Sequence, residues 1–288
     1  MKLLRNKKVR PYLHIAPAFL MIAGLLGYGV INGILESLQM DLSWSNEAYR
    51  FLFVESTFWT SLWYTFYITL ISTLIALMIG FGITHFLFPY LVKDRWKAII
   101  WVPMLFPHFA AGYLIVLLFS DSGWISGLSY KAGFISGLEE FPNLVNDSMG
   151  IGIILTYVWK EIPFVVLMLL PVYVQMDSRL KDVVRTLGGK KRNEFLTAQW
   201  PFLWPTIIEI AIILFAFIFA AFEVPYLLGV TFPQMTPVLA FEWFFEGNWE
   251  QRPLAFAAMV VVTLIIISFT ILIYSTTQKY RHRLMRGS

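Results

Sequence analysis

Apolar residues in this chain come in runs too long for a soluble helix, with short polar stretches between them. A helix that crosses a bilayer needs about 20 predominantly apolar residues. Six segments qualify, near residues 12–34, 61–91, 98–119, 149–175, 206–230 and 254–275. The second is overlong, so it is expected to tilt or to run on beyond the hydrocarbon. Pro103, Pro107 and His108 mark a kink in the third. Pro225 in the fifth removes a backbone donor, so a helix that continues past it must break a hydrogen bond there.

Composition agrees with the pattern. Of the 288 residues 58% are hydrophobic and only 14% charged, against about 25% charged in an average soluble domain. The chain is expected to be an all-α polytopic membrane protein. It has no cysteine, which excludes disulfides, zinc–thiolate sites and thiol nucleophiles together. The four histidines, His14, His85, His108 and His282, have no metal-ligand spacing.

Charge sets the expected orientation. The N-terminal tail carries Lys2, Arg5, Lys7, Lys8 and Arg10, and the connection after the second span Lys93, Arg95 and Lys97. The connection after the fourth has Arg179, Lys181, Arg185, Lys190, Lys191 and Arg192, and the C-terminal tail Lys279, Arg281, Arg283 and Arg286. Of the 22 basic residues only Arg50, Lys131, Arg252 and Lys160 fall elsewhere. By the positive-inside rule all these stretches, and both termini, are cytoplasmic. Trp59, Trp63, Trp124, Trp243 and Trp249 fall near expected outer ends, and Trp96, Trp101, Trp200 and Trp204 near inner ones. The first apolar segment is long and lacks a small-x-small cleavage site, so it is expected to stay as an uncleaved helix. The outer connections, 36–60 and 120–148, have room for short helices at the membrane face but not for a domain.

One inner connection stands apart. In DVVRTLGGKKRNEFLTAQWP, residues 182–201, the acidic Asp182 precedes Val183 and Val184; Gly188 and Gly189 follow, and Pro201 comes thirteen residues after Gly188. Residues 178–187 suit about three helical turns, which Gly188 and Gly189 would end. Residues 193–200 restart a helix that leads through Pro201 and Pro205 into the fifth span. Taken alone, such a loop is either an ordinary basic connection or a docking element for a soluble partner.

The order of acid, two small apolar residues, Gly and late Pro resembles the cytoplasmic signature loop of permease subunits in type I binding-protein-dependent ABC importers, where Glu-Ala-Ala, Gly and Pro stand at the same offsets. Asp182 replaces Glu, Val183 and Val184 replace alanines, and Leu187 stands where an Asp often precedes the Gly. Two further stretches, YVWKEIPF at 157–164 and FEVPYLLG at 222–229, look most like the polyamine-, phosphonate- and thiamine-type branch, with sugar permeases as the alternative. The resemblance implies an N-terminal tail and first transmembrane helix at 1–34, an outer connection at 35–60, a five-helix core at 61–275 holding the coupling loop 176–205, and a cytoplasmic tail at 276–288. It implies that Asp182, Val183, Val184, Gly188, Gly189 and Pro201 couple to an ATPase. It also implies two ATP-binding subunits carrying ATP and Mg, a second permease, homologous or identical, an extracytoplasmic binding protein, and a multi-pass place in a bacterial plasma (inner) membrane. The cargo expected on this basis is a polyamine or similar cation. No GxxxxGK[ST], HExxH or GxSxG motif is present, so the chain is expected to bind no cofactor and perform no chemistry itself. Nucleic acid is not an expected partner, since the basic residues are explained by topology. A secondary transporter or channel is the rival class, one that needs no ATPase.

Charges inside the spans are costly, at least about 2.5–3.5 kcal/mol each on insertion scales. Lys160 and Glu161 lie mid-span in the fourth segment, and Glu223 lies in the outward half of the fifth. Each either pairs with another helix or lines a translocation path; for Glu223 the alternatives are a gate beside Pro225 and an ion pair with Lys160. Glu209 is expected at the inner interface. Gly24, Gly27, Gly80 and Gly82 permit close helix approach.

Overall fold

The computed structural model describes residues 10–40, 43–177 and 179–285. In chain order the helices are α1 (Arg10–Ser37), α2 (Glu47–Val54), α3 (Ser56–Leu91), α4 (Asp94–Leu105), α5 (His108–Phe119), α6 (Trp124–Lys131), α7 (Ile151–Gln175), α8 (Arg179–Thr186), α9 (Lys191–Asn193), α10 (Trp200–Phe219), α11 (Glu223–Leu228), α12 (Thr236–Phe245) and α13 (Arg252–Met285). Two short strands, β1 (Gln39–Met40) and β2 (Ser43–Trp44), pair antiparallel after α1. Six helical segments are long and apolar enough to cross a membrane. The basic residues expected at 2, 5, 7, 8 and 286 lie outside the described residues.

The chain divides into two compact units. One comprises Met1–Phe58 and Leu239–Val261. Within it α1 leads into the β1–β2 hairpin, and the Ser37 hydroxyl meets the Tyr49 hydroxyl of α2 at 2.7 Å. Arg252 lies over the Trp249 ring at 3.6 Å and over Phe244 at 4.9 Å.

The other unit, Trp59–Val238 and Val262–Ser288, is built around α7. Leu169, Val165 and Tyr173 of α7 pack with Ala76 of α3 and with Leu203, Ile210 and Leu214 of α10. Nearer the start of α7, Ile153, Ile154, Tyr157 and Val158 pack with Tyr64 and Ile68 of α3, Ile115 of α5, and Val224 and Leu228 of α11. Two-thirds of the α7 span window is buried, which fits its place between neighbours rather than against lipid. Gly80 lets α3 approach: a Cβ there would stand 2.6 Å from Val165 Cβ. Among the described residues Gly24, Gly27 and Gly82 have nothing within 4 Å of such a Cβ, so of the four glycines only Gly80 makes a close approach there.

Two of the expected spans, 98–119 and 206–230, are interrupted, and the span-length runs there are His108–Lys131 and Lys191–Phe219. The third is broken outright at Phe106–Pro107, giving α4 and α5 of 12 residues each. At about 1.5 Å rise per residue each is roughly 18 Å long, short of a roughly 30 Å hydrocarbon core, and α5 reaches span length only together with α6. Proline forces its predecessor away from helical backbone, and Phe106 is indeed extended at φ −86°, ψ 133°. The fifth span breaks after Phe219, three residues before Glu223 and not at Pro225. Pro225 sits in the first turn of α11, where its missing N–H leaves no intrahelical partner wanting.

Candidate functional site

The 182–201 loop folds into a compact hook. α8 ends in a Schellman arrangement: Gly188 N–H donates to Arg185 O and Gly189 N–H donates to Val184 O, both at 2.9 Å. That closure needs a left-handed residue after the helix, and Gly188 supplies it at φ +78°. Gly189 answers a different need, because a Cβ there would meet the Val184 carbonyl oxygen at 2.8 Å. The chain then re-enters helix at α9, widens to a π-helical stretch at Glu194–Gln199, and continues as α10. Pro201 lies in the first turn of α10, where proline's fixed φ suits helix initiation.

Of the residues expected to couple, Asp182, Val183 and Val184 lie on α8, Gly188 and Gly189 form its closing turn, and Pro201 opens the next span. Val183 and Leu187 are exposed. Two residues outside the motif tie the hook together. Arg185 Nε donates to Glu194 Oε1 at 2.8 Å, and Arg185 Nη2 donates to Glu194 Oε2 at 3.0 Å. The hydrogen bond and the carboxylate charge push the Arg185 pKa further up. In the sequence Arg185 is one inner-side basic charge among six in this connection.

A second constellation lies at the span-three break. Pro107 has no N–H, so the carbonyl of Pro103, four residues earlier, loses its usual helical donor. Lys160 of α7 replaces it: its Nζ donates to Pro103 O at 2.8 Å and to Phe106 O at 2.6 Å. A cation belongs at this spot, since the C-terminal end of α4 presents unpaired carbonyls and a partial negative charge. The next residue, Glu161, turns about 100° around the helix and pairs with His108 Nε2 at 3.1 Å. His108 is the first residue of α5, where negative charge complements the helix N-terminus. Adjacent residues of opposite charge thus brace the two sides of one break. Glu223 does not pair with Lys160, whose ammonium is engaged by the α4 carbonyls.

Beside the brace is a cavity of about 360 Å³ lined by His108, Tyr157, Phe217, Ala221, Phe222, Glu223 and Val224. Both broken spans therefore contribute to one pocket, His108 from the start of α5 and Ala221–Val224 from the break before α11. Tyr157 is 1% exposed, and its hydroxyl has no hydrogen-bond partner among the described residues. Lys160 and Glu161 are outside the lining; Glu223 is in it. No group of three or more potential metal ligands occurs among the described residues.

No family model matches the chain. A probable sulfate transport system permease protein cysT of Chlorella vulgaris is 24% identical over 208 residues, 72% of this chain and 74% of that protein. A molybdate/tungstate transport system permease protein WtpB of Thermococcus kodakarensis is 27% identical over 62% of each chain, so less than two-thirds of that relative is spanned. A bacterial ABC transporter involved in the import of the acidic polysaccharide alginate superposes with TM-score 0.70 over 94% of this chain and 99% of that one, at 16% identity. The alginate transporter in complex with its alginate pentasaccharide-bound periplasmic protein gives 0.74 over 98% and 99%, also at 16%. At that identity the likeness is one of fold and says nothing for a sugar cargo.

The expected kinship with the polyamine-, phosphonate- and thiamine-type branch is corrected by these relatives, which are named for sulfate and for molybdate/tungstate. Of the two in-span acids, Glu161 and Glu223, which would suit a cation, Glu161 is engaged by His108. Both relatives are permease proteins rather than enzymes. The chain is a multi-pass membrane protein with the fold of ABC importer permeases.

Proposed function

We propose that this chain is the permease subunit of an ATP-driven importer for a small inorganic oxyanion of the sulfate or molybdate class, in a bacterial plasma membrane. The observation that carries the proposal is the importer-permease fold joined to sequence relatives named for those two anions. Its partners would be a second permease, homologous or identical, two ATP-binding subunits that hold ATP and Mg, and an extracytoplasmic binding protein that delivers the anion.

In this scheme α8 is the element that docks on an ATP-binding subunit, with Asp182, Val183 and Val184 on the docking helix. Gly188 and Gly189 keep its closing turn tight, and Pro201 starts the span that receives the motion. The pocket at the two broken spans is a stretch of the translocation path, with Glu223, Tyr157 and His108 facing the passing solute. Lys160 and Glu161 act one layer back, holding the span-three break in shape. The Glu223 carboxylate repels an oxyanion and the Tyr157 hydroxyl is buried, so the pocket would not retain the anion, which suits passage. Selection is then left to the binding protein.

The test is ATPase stimulation of the reconstituted complex with its binding protein, offered sulfate, molybdate, a polyamine or an oligosaccharide in turn. Sulfate or molybdate is expected to stimulate hydrolysis and to accumulate in the vesicles. Stimulation by the polyamine or the oligosaccharide alone would overturn the oxyanion assignment.

A further inference from the structure

We propose that Arg185 and Glu194 form a clamp that makes α8 and the foot of the fifth span a single rigid piece, so that motion delivered to α8 reaches α10 undiminished. The proposal rests on the reading of α8 as the ATPase-docking helix and deepens it. Both residues lie outside the acid–Gly–Pro motif, and neither lines the pocket.

The geometry is that of a fork. Two parallel bonds, Nε to Oε1 at 2.8 Å and Nη2 to Oε2 at 3.0 Å, fix the direction of the carboxylate as well as its distance. A single ammonium contact would leave the partners free to swivel. The two ends are unequal: the Arg185 side chain is 59% exposed and that of Glu194 only 10%. The carboxylate is therefore set into the base of the span, and the arginine reaches it from the outer last turn of α8. Among the described residues the rival acid near Arg185 is Asp182, one turn back on α8, with Oδ1 at 3.8 Å. That distance is beyond hydrogen-bond range, so the fork belongs to Glu194.

The backbone makes the reach possible. The Schellman turn at Gly188–Gly189 reverses the chain within two residues, which returns Glu194 to the last turn of the helix it follows. Glu194 is also the first residue of the π-helical stretch. The fork therefore ties α8 to the start of that stretch, across the Gly188–Gly189 turn and α9. Without the tie, a push on α8 would be absorbed in the turn between them.

A structural role alone would lower the amount of folded protein; a transmission role changes transport per ATP. The complete complex, with its ATP-binding subunits and binding protein, is therefore reconstituted with R185Q, R185K or E194Q. ATP hydrolysis is expected to continue near the unmodified rate, while uptake per ATP falls on the order of fivefold or more in R185Q and E194Q, the lower end of coupling effects between sites. R185K keeps the charge but not the fork, so it falls between. Because the chain has no cysteine, spin labels at T186C, on the last turn of α8, and T206C read rigidity directly. Their distance distribution is expected to be narrow in the otherwise unmodified complex and broad in R185Q. Uptake per ATP unchanged in R185Q and E194Q, or a distribution that stays narrow, overturns the clamp. Should R185Q fail to reach the membrane, the label distribution of R185K decides on the same terms. A separate arm tests the reading beneath it: L187C, at a position 82% exposed, should cross-link to an ATP-binding subunit. Absence of that cross-link removes the docking role itself, whereas a cross-link together with unaltered R185Q uptake removes the clamp alone.

Discussion

The hook at 182–201 and the brace at the span-three break both use a basic side chain to hold backbone in place, yet they draw on opposite ranges of the chain. In the hook, Arg185 reaches nine residues onward to a carboxylate. In the brace, Lys160 reaches back more than fifty residues to two backbone carbonyls. The hook is exposed to water on its arginine side, so losing the pair there changes geometry more than stability; exposed ion pairs contribute about 0–1 kcal/mol. The brace lies in a low-dielectric interior, where an unpaired carbonyl has no water to turn to. The contrast teaches where each would fail. Damage to the hook should spare the protein and stop its work, while damage to the brace should unmake the protein.

The largest effect is expected at the hook. Gly188→Trp should abolish ATP-coupled uptake while the permease still reaches the membrane. Among the described residues nothing lies within 4 Å of a Cβ at Gly188, so added bulk there projects toward whatever docks on the loop. Gly188→Asn, which tolerates the left-handed conformation, separates backbone strain from bulk and should retain most uptake. Normal uptake by the Trp variant would sink the coupling assignment.

Next in size is the brace. Lys160→Met strips donors from the Pro103 and Phe106 carbonyls, at about 1–3 kcal/mol for each group left unsatisfied. Thermal unfolding in detergent should show a clearly lowered melting temperature, and an unchanged one would mean that water or relaxation replaces the lysine.

The same split between local and long-range control runs within α3. Gly80→Ala brings a Cβ to 2.6 Å of Val165 Cβ and should destabilise by about 1–3 kcal/mol, as overpacking does. Val165→Ala in the same chain removes the Cγ1 contact at 2.7 Å but keeps the Cβ, so it should leave most of the loss in place; full recovery would place the strain at Cγ1 alone. Gly82→Ala, two residues on, meets nothing within 4 Å. Only helix propensity acts there, and the change should stabilise by up to about 1 kcal/mol. Loss of stability at Gly82 would point to a contact made by a partner chain.

Much of the hook was legible because its determinants are neighbours. Gly188–Gly189 after a helix-compatible stretch predicts a helix stop, and the helix expected over 178–187 is observed over Arg179–Thr186, with Ser178 outside the described residues. The Arg185–Glu194 fork was not, because it depends on how sharply the chain turns between them. A cluster of basic residues on an inner loop already had a sufficient explanation in topology, and that hid the one arginine with a partner. At the brace, mid-span charges announced that some partner was needed. Which partner could not be read, since backbone carbonyls belong to every residue and leave no mark in sequence. The break before Glu223 was misplaced to Pro225 for a related reason: a proline interrupts a helix only from inside it, and here it begins a new one.

What the sequence determined by itself was set by length and by charge: six apolar stretches long enough to cross a bilayer, an expected orientation from Lys and Arg, and a motif-bearing loop between the fourth and fifth stretches. These follow from local quantities, the transfer of apolar residues into lipid and the retention of basic ones at one face. Tertiary structure alone decided where the third and fifth apolar stretches are interrupted and that the two interruptions share a pocket, that Gly80 and not Gly82 admits a neighbour, and that Lys160 caps a helix end. Each depends on which surfaces meet across tens of residues, and the bilayer's refusal to hydrate an open carbonyl or amide selects the packing in which those groups are satisfied by the protein.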